Sequence, residues 1–367
     1  MPIMKLSPYF PVLVVVAAGL LAISCGRESQ NEGNSKPAHE QSISALKESG
    51  FVYTADERGN SVSVIDLSTG KVQTFPVRIA PHNVQVSADG RLLFVVGMVE
   101  DNMSGDHSNM AAGSKMERGR LLVFDTATMD VQDMTDIEVG HKPAHVIVDK
   151  ETKLAYVTNG GDNTVSVVDL AHKKVVVEIP TGAMPHGLRM SPDGREIYVA
   201  TTGDNSVSVI DVVHAKEVTR IPVGHKPAQV AFTPDGKHAY VTSTVDNNVA
   251  VIDTAQRKSI ATVPVGRKPI QVFATPDGRL VYAANEGSAG NPDDTATVID
   301  VATNKVVSTV VTGKGSHGVV VSDDGTRAFI ANSVDGTVSI IDTTTNKVTR
   351  TIKVGEGSGG ITFRIAK

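Results

Sequence analysis

The chain has 367 residues, 40% of them hydrophobic and 20% charged, with 35 Lys and Arg against 40 Asp and Glu for a net charge of −5. That length and apolar fraction suffice for one large domain, and a mildly acidic chain exerts no global pull on nucleic acid or acidic membranes. A single cysteine excludes an internal disulfide framework and any multi-cysteine metal site.

The chain opens with one lysine, an apolar stretch from Val12 to Ile23 and small residues before Cys25. A dozen apolar residues suit a secretory signal and are too few to span a bilayer. "LAISC" (21–25) resembles a bacterial lipobox, with Ala22 where that motif usually has leucine. The resemblance implies a lipoprotein-type signal peptide over 1–24 and lipidation of Cys25. The alternative is a plain signal peptide with a spare thiol. Residues 26–50 are polar and rich in Ser, Glu and Gly, so 25–50 reads as anchor and flexible tether. The expected location is extracytoplasmic, as a membrane-anchored lipoprotein of periplasm or cell surface, touching the membrane through its lipid alone.

From Phe51 onward one sentence repeats: "YVTNGGDNTVSVVDL" at 156, "YVATTGDNSVSVIDV" at 198 and "YVTSTVDNNVAVIDT" at 240. The Asp residues closing the "VSVID"-like runs, Asp66, Asp125, Asp169, Asp211, Asp253, Asp300 and Asp342, are spaced 59, 44, 42, 42, 47 and 42 apart. A strand-only period near 40 is the signature of a β-propeller with one four-stranded blade per unit. Within 230–265 the strands fall at Val230–Phe232, Ala239–Thr242, Val249–Ile252 and Ser259–Val265, the first two joined by the hairpin turn "TPDG". The seven Asp residues are expected to cap the turns between third and fourth strands. Seven sets of the last three strands follow Phe51, but only six first strands precede their own partners. The missing one is "GITFRIA" (360–366), which would join the Phe51 blade and close the ring. The expected fold is therefore an all-β, seven-bladed β-propeller over 51–367.

"YVTN" at 156–159, "DNTVSVVD" after it and "SPDGREIYVA" at 191–200 resemble the YVTN family of propeller repeats over residues 51–366. The resemblance implies a secreted or surface protein of bacterial or archaeal type. It decides little about function, because similar propellers serve as binding proteins, surface-layer components, lactonases and haem-binding nitrite reductases.

Function is expected where the copies differ. In a propeller the first strand of each blade lines the central channel, and the linkers before it surround the channel mouth together with the loops between second and third strands. At this linker His82, His186 and His317 share one repeat position, and His145 is displaced from it by one residue. Imidazoles converging on an axis suit Zn, Cu, Ni or Fe. The longest insertion, 97–120, adds Met98, Met103, Met110, Met116 and His107, and thioethers with imidazole suit copper. A shorter insertion, "EGSAGNPDD" (286–294), rims the same face. The bland alternative is solvated histidines and methionines packed on the blade rim. Arg78, Lys142, Lys226, Arg267, Lys268 and Lys314 form a partial basic rim suited to an anion, opposed by Asp162, Asp204, Asp246, Asp293 and Asp335. His39, His172, His214 and His238 read as surface residues. With aromatics at 4%, no base-stacking platform is available, which disfavours nucleic acid.

Three functions stand beside one another. The first is a binding scaffold taking a protein or small ligand at the channel mouth. The second is a protein that binds or handles copper or another divalent metal. The third is an enzyme of lactonase or haem-linked oxidoreductase type. The third has the least support, since the sequence holds no Gly-x-Ser-x-Gly elbow, no Cys-x-x-Cys-His haem attachment and no phosphate-binding glycine loop.

Overall fold

A computed structural model describes residues 49–99, 117–131 and 134–366. The chain divides into Met1–Ser42 and a compact unit, Ile43–Lys367, to which all of these residues belong. The proposed signal, Cys25 and the tether up to residue 48 lie outside the described residues, as do Met103, His107, Met110 and Met116. Among the described residues no helix is long and apolar enough to cross a membrane.

Among the described residues, twenty-eight strands, β1 (Phe51–Asp56) to β28 (Ser358–Arg364), form seven four-stranded antiparallel sheets. The only other regular element among the described residues is a single 3-10 turn at Glu57–Gly59. The repeat near 230 gives β16 (Pro227–Phe232), β17 (His238–Ser243), β18 (Asn248–Asp253) and β19 (Lys258–Pro264), paired in that order. The first strand thus begins three residues earlier than the alternation at Val230 marks, and this extension carries the site. Closure occurs as expected: β28 pairs with β1, setting Phe51 opposite Arg364 and Tyr53 opposite Thr362. It begins at Ser358, two residues before the expected 360, because Ser358 still pairs with Asp56.

The sheets stack blade on blade through apolar faces. Tyr198, Val209 and Ile221 of one blade pack with Val230, Val241 and Ile252 of the next. Each such side chain contributes about 1.5–3 kcal/mol when fully buried. The repeated aromatic of the second strand is central to this core; Tyr240 and Tyr282 are buried, yet their hydroxyls reach the turns of later repeats and donate to Asn304 (2.7 Å) and Asn346 (2.6 Å). All seven closing Asp residues cap their turns. Asp169 accepts from the His172 amide at 2.9 Å, Asp253 from Gln256 at 2.8 Å and Asp125 from Ala127 at 2.8 Å. Asp66, Asp211, Asp300 and Asp342 accept in the same way.

The innermost strands are β4 (Ile79–Val86), β8 (Pro143–Val148), β12 (Pro185–Met190), β16, β20 (Pro269–Ala274), β24 (Ser316–Val321) and β28. Each neighbours the next, and β28 neighbours β4, so they enclose the channel.

Candidate functional site

The four histidines lie inside the innermost strands, not in the linkers before them. His82 is on β4, His145 on β8, His186 on β12 and His317 on β24. Every one of these strands carries a register shift against its partner at this point, between Pro81 and Asn83, Pro143 and Val146, Pro185 and Leu188, and Ser316 and Gly318. Such a bulge breaks strict alternation and re-aims side chains. Two successive residues can therefore face the channel, which explains how His145, displaced by one in sequence, joins the others in space.

The glycine after His186 belongs to the same local design. A Cβ on Gly187 would lie 2.4 Å from the Ala228 carbonyl oxygen, far inside contact distance. That carbonyl accepts a hydrogen bond from His186 Nδ1 at 2.9 Å. Gly187 thus admits the backbone group that fixes the His186 ring. Gly318 after His317 serves a similar close approach, with the Gly359 carbonyl oxygen 2.1 Å from where its Cβ would be.

Ring centroids of His82 and His186 are 5.2 Å apart, of His145 and His186 4.9 Å, of His82 and His145 5.6 Å and of His82 and His317 6.2 Å. Ligand atoms of His82, His145 and His186 all lie within 4.8 Å of one another. His82 Nε2 and His186 Nε2 are 3.3 Å apart. His186 commits its Nδ1–H to Ala228, so its Nε2 carries a lone pair. His82 directs Nδ1 to the Glu57 carboxylate at 3.5 Å, so its Nε2 also faces inward as a lone pair when the ring is neutral. Two facing lone pairs at this distance require something positive between them: a proton on His82, or a metal ion.

The electrostatics agree with that division. Burial pulls the His82 pKa down, but the hydrogen bond and charge of Glu57, aided by Glu286, raise it above its ordinary value. Burial, then the neighbouring His82, drive His186 down to about 3. His145 falls well below its usual range through burial and the charges of His186, His82 and His317. His317 is lowered mainly by burial, against the opposing charge of Glu286. Glu57 is lowered overall because the hydrogen bond and charge of His82 outweigh its own burial.

His145 is 2% exposed. The Gln229 amide oxygen accepts from the Val230 N–H at 2.8 Å, which places its NH2 group 3.3 Å from His145 Nδ1. Nδ1 then accepts, and Nε2 carries the proton without a partner among the described residues. For Nε2 to bind a metal, the Gln229 amide must turn over and take the His145 proton on Nδ1. His82 and His186 are thus ready ligands, and His145 is a third that one amide rotation releases.

Glu57 and Glu286 are not singled out by the sequence reading. Glu57 opens the 3-10 turn that replaces the repeated "GDN" loop, and Glu286 begins the 286–294 insertion. Glu286 lies 3.9 Å from His317 Nε2 and accepts from Lys268 Nζ at 2.6 Å. The usable signal is that both interrupt an otherwise repeated loop. Met98 stands opposite Ala80 in the β4 pairing, to β5 (Leu92–Val99), and is 40% exposed.

Of the basic rim, Lys268 is paired with Glu286, and Arg267 pairs with Asp293 at 3.2 Å. Arg78, Lys142, Lys226 and Lys314 are exposed. The opposing carboxylates mainly hold the linkers. Asp162, Asp204 and Asp246 accept from the amides of His141, Ala183 and His225, each at 2.7 Å, and Asp335 accepts from Lys314 at 2.8 Å. His172 and His214 sit in exposed turns, paired with Asp169 and Asp211.

Two family descriptions match the chain: a YNCE-like beta-propeller over residues 101–279 and a Cytochrome D1 heme domain over 241–360. Among curated proteins, none matches in sequence. Among solved structures, Kuenenia stuttgartiensis hydrazine synthase is similar with a TM-score of 0.63 and 21% identity, covering 78% of this chain and 95% of that one. A functionally unknown protein from Desulfotomaculum acetoxidans DSM 771 gives 0.69 and 15%, covering 87% and 100%. A protein from Bacteroides uniformis ATCC 8492, provisionally assigned as a 6-phosphogluconolactonase, gives 0.69 and 15%, covering 86% and 100%. At these identities the likeness concerns the fold.

Proposed function

Because this chain is a seven-bladed β-propeller repeat protein, we propose that it is a binding scaffold whose channel mouth takes a divalent first-row transition metal, through His82 and His186 with His145 as third ligand. The observation that carries this reading is the pair of Nε2 atoms 3.3 Å apart, each ring anchored at its other nitrogen. Two nitrogens held about 2.0–2.1 Å from a tetrahedral ion stand about 3.3 Å apart. Glu57 supports the site as an outer partner, orienting the His82 ring and raising its basicity. An all-imidazole set suits Zn2+ or Cu2+. A secreted, lipid-anchored placement through Cys25 belongs to the same proposal.

The match to a haem domain invites a haem at this mouth. The side chains do not fit one there: the imidazoles lie against each other, with His82 and His186 nitrogens 3.3 Å apart, and leave no gap for a macrocycle between them. No step through haem is derived.

The test is metal titration with elemental analysis of the purified protein beside His82→Ala and His186→Ala variants. One Zn2+ or Cu2+ per chain, lost in both variants, is expected. Absence of stoichiometric metal in the wild type contradicts the proposal.

A further inference from the structure

Deeper along the channel lies a second polar site. A cavity of about 130 Å³ is lined by Arg189, Gln271, Phe273, Gln85 and Thr362, with Asp323 also on its wall. Arg189 is on β12, three residues beyond His186. Its guanidinium lies over the Phe273 ring, 5.1 Å from the centroid. Among the described residues no ion pair or hydrogen bond satisfies its N–H groups. Asp323 is the one carboxylate on the described wall, and it forms no ion pair with Arg189. Desolvation lowers the Arg189 pKa to about 10, so the group stays charged at neutral pH. Arg189 is only partly exposed, and a cation without a counter-charge in a confined channel favours an anion beside it.

Gln271 supplies a second, independent pointer. The residue is 4% exposed. The amide oxygen accepts from the Val319 N–H at 3.3 Å, which fixes the orientation, and the NH2 group is left buried with no partner among the described residues. The cation and the side chain carrying this unsatisfied donor therefore line the same small space. Because Phe273 covers a face of the guanidinium, ligands reach Arg189 along its edge, where its N–H fork matches the two oxygens of a carboxylate.

We propose that the channel below the histidines binds a small monocarboxylate, held by the edge of Arg189 and by the Gln271 amide. His145 and Gln229 of the metal site also line this cavity, so the experiment is arranged to read carboxylate and metal apart. Acetate and, separately, sulfate are titrated calorimetrically into the full-chain protein, with chloride holding ionic strength constant. Arg189→Met and Arg189→Lys variants follow, with metal content measured in each.

Saturable one-to-one acetate binding is expected, weakened at least about tenfold by Arg189→Met and also reduced by Arg189→Lys, which keeps charge but loses the fork. Metal content should be unchanged. Acetate should raise the melting midpoint of wild type and should no longer raise that of Arg189→Met. Absence of saturable acetate binding to wild type, or undiminished binding by a folded Arg189→Met, overturns the proposal. Tighter binding of sulfate than acetate overturns the carboxylate assignment. If Arg189→Met does not fold, the wild-type titration and Arg189→Lys decide.

Discussion

Histidines at the blade rim and histidines in the channel use the same side chain to opposite ends. On the rim four of them have a carboxylate each: His141 with Asp162 at 2.7 Å, His172 with Asp169 at 2.8 Å, and His214 with Asp211 and His225 with Asp246, both at 2.9 Å. Those carboxylates also accept backbone amides, so the pairs belong to the scaffold that the repeat writes again and again. In the channel, among the described residues, four imidazoles meet two nearby glutamates, Glu57 and Glu286, at 3.5 and 3.9 Å. Three of the four have pKa values pushed down, and His82 alone is pushed up. A surplus of basic nitrogens without protons is what a metal ion needs, and the rim pairs offer nothing of the kind.

The largest effect expected to separate the two regions is on metal affinity. His82→Ala or His186→Ala should abolish stoichiometric binding, with a loss above about 100-fold, while the double variant His172→Ala, His214→Ala should titrate like wild type. Equal losses in both sets would erase the contrast. Next is the outer partner: Glu57→Gln should weaken Zn2+ binding about 10- to 100-fold without unfolding the protein, because it leaves the imidazoles and removes their charge support.

The pH dependence has two signs. A metal needs His82 neutral, and its pKa lies above the ordinary 6.5, so apparent metal affinity should begin to fall while the pH is still above 6.5 as acid is added. Glu57→Gln should move the onset of this pH dependence to lower pH, on top of its uniformly weaker binding. In the metal-free protein the sign concerns folding. His145, His186 and His317 resist protonation when folded, so below pH 6.5 the unfolded chain binds more protons and stability falls. For His186 the fall continues down to about pH 3. The raised pKa of His82 works oppositely, with stability present below 6.5 and lost as pH rises through its folded value. Thermal melts from pH 7 to 4 should therefore drop less steeply in a folded His186→Asn variant than in wild type. An unchanged slope would contradict the assigned shift.

The smallest effects belong to the repeat. Tyr240→Phe removes the bond to Asn304 and should cost about 1 kcal/mol, with no change in metal affinity. Asp253→Ala removes the cap on Gln256 and should cost a similar amount.

These two regions also differed in how far the sequence revealed them. The ring was legible because a 42-residue period, seven closing Asp residues and the surplus strand near 360 are all counted along the chain. His82, His186 and His317 were legible as departures at one repeat position. The equal standing of His145 was not, since it depends on a bulge in strand pairing that a linear register does not display. Glu57 and Arg189 were not legible either. Glu57 meets His82 25 residues later from a different blade, and Arg189 meets Phe273 across the channel. Such contacts exist only once the ring has closed. The copper expectation drew on Met98, exposed on β5, and on Met103, Met110, Met116 and His107, which lie outside the described residues, whereas the mouth itself offers nitrogen ligands.

The most direct test of the account is X-ray absorption at the metal edge of the Zn2+- or Cu2+-loaded protein. Imidazole nitrogen at about 2.0–2.1 Å should fill the inner sphere together with any light-atom ligand, and the imidazole signature should vanish in His82→Ala and His186→Ala. A sulfur-dominated sphere, or an imidazole signature indifferent to both substitutions, would place the ion elsewhere and contradict it.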